Sequence, residues 1–217
     1  MGSLRRSACC VCLLLPAWVA GAELRVEVAD AHGRPAPDAV VTAVVAGTQA
    51  TPSRPAPVTR VIDQRDETFI PYVEVFHPGD SVVFRNSDTT RHHAYSFAPA
   101  KSFEFVLGPG ERSGPQLLER AGVVAVGCNI HDQMITYLYV SSAPWIAKTG
   151  ADGRARLEDL PPGAYTLRVW HPRLRPGSDG YTQTVTLGDG GTTEEVKATL
   201  SLIPDPRLQV DREKARY

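Results

Sequence analysis

Apolar and polar residues alternate with a period of two along much of the chain. Residues 23–30 read ELRVEVAD and residues 164–170 read AYTLRVW. Alternation of this kind puts every second side chain on one face and predicts half-buried strands. In the middle of the chain the pattern predicts strands at 60–64, 72–76, 81–86, 93–97, 102–107, 122–127 and 135–141. Outside that block it predicts strands at 23–30, 39–46, 155–157, 164–170, 181–187 and 194–202. Turn signals separate the runs: His77-Pro78-Gly79-Asp80, GPGERSG at 108–114, Asp152-Gly153 and Pro161-Pro162-Gly163. Short strands at regular spacing between such turns predict an all-β sandwich or barrel.

The first 22 residues follow a different pattern. Arg5 and Arg6 precede the apolar run ACCVCLLLPAWVA, and Ala20-Gly21-Ala22 supplies small residues before Glu23. This is the layout of a secretory signal peptide cleaved before Glu23. The apolar run of about 13 residues is short of the ~20 needed to span a bilayer, so no integral membrane segment is expected after cleavage. The expected location is periplasmic or secreted.

The two strands before residue 47 cannot form a core alone. Residues 47–59, rich in Thr, Ser, Pro and Ala, read as a linker. Chain ends often lie close together, and insertions are tolerated at exposed turns. The expected organisation is therefore a smaller β-sandwich built from residues 23–57 and 142–203, with residues 58–141 inserted and 204–217 a polar tail. VEVADAHGRPAPDAVVTAV and TGADGRARLEDLPPGAYTLRV resemble the two halves of carboxypeptidase regulatory-like β-sandwich domains, which supports the split.

Candidate chemistry concentrates in GCNIHDQM, residues 127–134. Cys128, His131 and Met134 each fall three residues after the last, in a loop between two apolar strands. Of 4 cysteines, three leave with the signal peptide, so the exported chain keeps only Cys128 and forms no internal disulfide. A lone thiol in an oxidising compartment is best buried or bonded to a metal. Thiolate, imidazole and thioether are soft or borderline ligands, and two His, one Cys and a weak axial Met make a blue-copper set. Cys and His also suit zinc, but Met is a poor zinc ligand. A nucleophile–base pair of Cys128 and His131 needs a third, orienting group, and Asp132 is a poor candidate because sequence neighbours rarely orient one another's rings. No enzymatic role is expected.

The missing histidine is expected from RHHAYSF, residues 91–97. His93, Tyr95 and Phe97 share one strand face, and His92, Ala94 and Ser96 share the other. If Phe97 points into the core, His93 does too, and His92 is the alternative ligand. GDSVVFRNSDTTRHHAYSF followed by VVAVGCNIHDQM resembles the plastocyanin and amicyanin branch of the cupredoxins over roughly residues 60–141. The resemblance implies a Greek-key β-sandwich holding one type 1 copper ion, with His93, Cys128, His131 and Met134 as ligands. It also implies a Phe four residues after the first His, as Phe97 follows His93. Many relatives carry Asn directly after that His; here the position is Ala94, with Asn86 or Ser96 as candidate substitutes.

The remaining histidines, His32, His77 and His171, are expected to be structural or on the surface. Trp145 and Trp170 are expected in a core or a domain interface, and Tyr137 and Tyr139 against the sheet. A formal net charge of −1 gives no electrostatic reason to expect nucleic acid. The expected function is single-electron transfer with a redox partner protein, His131 lying near the surface with Ile130 beside it. The alternatives are copper delivery without a redox role, and a scaffold in which the metal only stabilises.

Overall fold

The computed structural model describes residues 21–47, 56–189 and 191–208. The expected signal peptide, except its last two residues, most of the 47–59 linker and the end of the tail lie outside these residues. The described residues are all-β apart from a 3₁₀ turn at Pro206–Leu208. In chain order the strands are β1 (Ala22–Asp30), β2 (Val40–Val45), β3 (Thr59–Arg65), β4 (Thr68–Ile70), β5 (Val73–Phe76), β6 (Asp80–Asn86), β7 (His92–Ala98) and β8 (Lys101–Leu107). They continue with β9 (Gln116–Leu118), β10 (Gly122–Cys128), β11 (Ile135–Val140), β12 (Trp145–Lys148), β13 (Arg154–Leu160), β14 (Gly163–Trp170), β15 (Tyr181–Leu187) and β16 (Thr193–Leu200). The short strands β4, β9 and β12 were not marked by alternation; three or four residues are too few to display a period.

These strands sort into two pairs of sheets. One pair, β13-β1-β16 and β12-β2-β14-β15, uses only the two ends of the described chain. Its core joins Leu24, Val26 and Val28 of β1 to Val41, Tyr165, Leu167, Val169 and Val196. Trp145 packs on that core and meets the Tyr165 ring edge-on at 5.4 Å. The other pair, β4-β3-β6-β9 and β5-β11-β10-β7-β8, uses the middle of the chain. Ile62, Phe69, Phe76, Val82, Phe84, Val124, Val126 and Leu138 fill its interior. Phe84 sits at the centre, 6.1 Å from Phe69 and 5.4 Å from both Phe103 and Phe105.

A third apolar cluster joins the two sandwiches. Val40, Tyr72 and Val73 are buried there, with Tyr137, Tyr139 and Trp170 packed around them. Trp170 lies 5.0 Å from Tyr139 and 6.0 Å from Tyr137. The outward face of β11 is thereby covered by the outer sandwich.

His171, directly after β14, is 3% exposed. Its Nδ1 accepts the Arg173 N–H at 3.0 Å, which leaves Nε2 to donate to the Pro37 carbonyl at 3.0 Å. Burial pushes its pKa down to about 4; Arg173 adds to this, while the Pro37 carbonyl, Asp38 and Asp205 oppose it. The unfolded chain binds this proton near the ordinary 6.5. The stability tied to the neutral ring is therefore complete above pH 6.5 and is lost as the pH falls towards 4, because only the unfolded chain gains the proton in that window. Urea denaturation is expected to show a loss on the order of 3 kcal/mol across this window, at 1.36 kcal/mol per pKa unit. His171→Gln should flatten the profile.

Candidate metal centre

The site is built where β7, β10 and the loop from Cys128 to Met134 meet. That loop closes on itself: the Cys128 N–H donates to the Met134 carbonyl at 3.1 Å, and the Met134 N–H to the His131 carbonyl at 3.0 Å. The Asn129 N–H donates to the His93 carbonyl at 3.1 Å and ties the loop to β7. Cys128 ends β10 and is 5% exposed; Met134 is 1% exposed, and both belong to the core of the central sandwich.

His92, fully buried, faces Cys128, with Nδ1 3.9 Å from Sγ. The same sulfur accepts the Ile130 N–H at 3.4 Å. The His131 ring stands 5.2 Å from the His92 ring, tilted by 60°. One ligand atom each from His92, Cys128 and His131 lie within 4.8 Å of one another. The outer nitrogens of both rings meet carboxylates: His92 Nε2 is 2.7 Å from Asp88 Oδ2, and His131 Nε2 is 3.5 Å from Glu67 Oε1. His131 Nδ1, in contrast, is buried with no hydrogen-bond partner. A buried polar atom without a partner costs free energy unless something binds it. An imidazole whose outer nitrogen is bound to a carboxylate presents its other nitrogen as a ligand. The thiol and two imidazoles, with buried Met134 closing the same loop, fit a soft or borderline transition-metal ion.

His93 is not among these residues. It lies on the opposite face of β7, and its Nε2 pairs with Glu104 Oε1 at 2.9 Å. Phe97, expected in the core, is 74% exposed. The inward face of β7 is His92, Ala94 and Ser96. The reason is on β8: Phe105 sits opposite Ala94, Phe103 opposite Ser96 and Leu107 opposite His92. Directly paired residues share a face, so the two β8 phenylalanines fill the interior above the small β7 residues. Tyr95, on the outer face, covers Gly127, where an added Cβ would lie 3.1 Å from its ring.

Asn86, fully buried, braces the loop that leads into His92. Its amide nitrogen donates to the Thr90 and Leu107 carbonyls at 2.8 and 2.9 Å, and its oxygen accepts the Asp88 N–H at 2.9 Å. Ser96 instead binds the Lys101 carbonyl at 3.2 Å. Asp88 and Glu67 carried no recognisable signal in the sequence, since each meets its histidine only through loop and hairpin geometry. Burial pushes the Asp88 carboxyl up, but the Glu67 N–H, His92 and the Asp66 N–H outweigh it and hold the pKa below the ordinary value. Ile130, beside His131, is 49% exposed. His77 Nδ1 binds the Ser141 carbonyl at 2.8 Å, and His32 is exposed.

No family model matches the chain, and no curated protein does. Among solved structures, the chain is similar to the copper-containing nitrite reductase of Thermus scotoductus SA-01, at 25% identity and TM-score 0.36, over 45% of this chain and 25% of that one. It is also similar to a purple cupredoxin of Nitrosopumilus maritimus, at 21% identity and TM-score 0.34, over 37% of this chain and 98% of that one. A reduced amicyanin variant is similar at 15% identity and TM-score 0.36, over 46% of this chain and 99% of that one. The chain thus spans a quarter of the nitrite reductase and nearly all of the two smaller proteins.

Asn86→Ala would leave two carbonyls and one N–H without their buried partner. A cost of about 2–4 kcal/mol is expected, at ~1–3 kcal/mol per stranded group with partial relaxation. Chemical denaturation of the metal-free protein measures it.

Proposed function

We propose that this chain is an exported type 1 copper protein that holds one copper ion and passes single electrons between partner proteins. His92, Cys128, His131 and Met134 would be the ligands. The observation that carries the reading is the convergence of His92, Cys128 and His131 within 4.8 Å, with the His131 Nδ1 otherwise unpartnered. A bound copper ion would supply a one-electron couple. The protein's part is to hold the ligands still. Cys128 would hold the ion as thiolate, and its backbone is fixed by the β7 pairing and by the closed 128–134 loop. Burial of Cys128 and Met134 keeps water from the sulfur ligands. His131, with its side chain 15% exposed against 0% for His92, is the edge through which electrons enter or leave. Exposed Ile130 next to it offers an apolar contact for a redox partner.

Export is supported by the N-terminal pattern of residues 1–22 and by the single cysteine left after them. No helix among the described residues is long and apolar enough to cross a membrane.

The visible spectrum of the copper-loaded protein tests the reading. An intense blue absorption with a reversible redox couple is expected. Cys128→Ser and His92→Ala should each abolish the colour, and His93→Ala should retain it. An unchanged spectrum in Cys128→Ser would overturn the proposed site, and a colourless protein that readily yields Cu(I) would point to delivery instead.

A further inference from the structure

The turn between β3 and β4 carries a backbone feature that the fold alone does not require. Arg65 pairs with Thr68, so Asp66 and Glu67 form a two-residue hairpin turn. Both have positive φ, 53° and 54°. Turns of this mirror type ordinarily use Asn-Gly, because a side chain at positive φ is strained. Strained residues persist where their surroundings over-determine them, and they cluster at functional sites.

Here the surroundings are the Asp88 carboxylate. Oδ1 accepts the Asp66 N–H at 2.6 Å, and Oδ2 accepts the Glu67 N–H at 3.1 Å. Oδ2 also receives His92 Nε2 at 2.7 Å. The turn so fixed presents the Glu67 carboxylate to His131 Nε2. Each of the two histidines therefore ends on a carboxylate, and the two carboxylates are joined through one turn.

We infer that the β3–β4 turn is a brace that positions both histidine ligands, with Asp88 holding His92 directly and holding His131 through Glu67. This rests on the copper reading above. Asp88 and Glu67 are positioning residues rather than ligands. Carboxylates behind histidine ligands raise ligand basicity and fix ring orientation. Two negative charges behind the rings also favour the more highly charged state of a bound ion, and so lower its reduction potential.

The β7 strand supplies an internal control. His93 and Glu104 make a similar pair on the opposite face of the sheet. The full chain should be loaded with copper as parent, Glu67→Gln, Asp88→Asn, the double variant and Glu104→Gln. Copper(II) affinity by chelator competition, reduction potential and the electron-paramagnetic-resonance signature are the readouts, with thermal unfolding of the metal-free proteins alongside. Glu67→Gln and Asp88→Asn are expected to weaken copper(II) binding by about 10–100-fold and to raise the potential. Glu104→Gln should match the parent. Glu67→Gln should cost less in the Asp88→Asn background than alone, because the turn is already released. Should Asp88→Asn fail to fold, Glu67→Gln, whose side chain is 35% exposed, carries the test. A blue parent whose affinity and potential are unchanged by Glu67→Gln would overturn the brace. Additive costs would overturn the coupling through the turn. A parent that shows no blue absorption would overturn the copper reading, and the brace with it.

Discussion

The pairing of β10 with β7 covers only Gly127 opposite Tyr95 and Cys128 opposite Ala94, yet the candidate centre depends on it. Side chains alternate across a strand, so a slip of one residue would turn His92 outward and bring His93 in. Two contacts on opposite faces of β7 fix which of its sides turns inward. Inside, Phe103 and Phe105 occupy the volume above Ser96 and Ala94. Outside, the Tyr95 ring rests on Gly127, a position where a larger residue would displace it. A side chain at 127 would need the Tyr95 ring to give by a few tenths of an ångström.

Much of this was readable from the residues. Alternation located the longer strands, and turn residues separated them. The Cys-x-x-His-x-x-Met spacing located the loop that contributes three of the four candidate ligands. Parity with Phe97 as the core residue turns His93 inward, whereas in the fold His92 is buried and Phe97 is exposed. In the fold, the inward aromatics belong to β8, whose run KSFEFVL shows Phe103, Phe105 and Leu107 on one face. Paired as a hairpin, the two strands set the small residues of β7 against the large ones of β8 and turn His92 inward. Single-strand parity has no access to that information, because it resides in the pairing. Asp88 and Glu67 were illegible for a related reason: their roles depend on a turn conformation that neither residue type favours.

The central sandwich is also not electrostatically neutral around its histidines. Burial would ordinarily favour a protonated Asp88, but three donors converge on its carboxylate and keep it ionised. The same donors fix the loop entering β7, which Asn86 ties to the end of β8. Sterics in the sheet and hydrogen bonding in the loops therefore act on one histidine from two sides.

The seam between the sandwiches reaches this arrangement through β11. Its inner face packs Leu138 and Val140 into the central core, and its outer face sets Tyr137 and Tyr139 against Trp170. A chain cut down to residues 58–141 would open that aromatic face to water. A minimal carrier engineered from this protein would thus need a redesigned outer surface on β11, and the flanking segments are better regarded as part of the molecule's rigidity than as baggage.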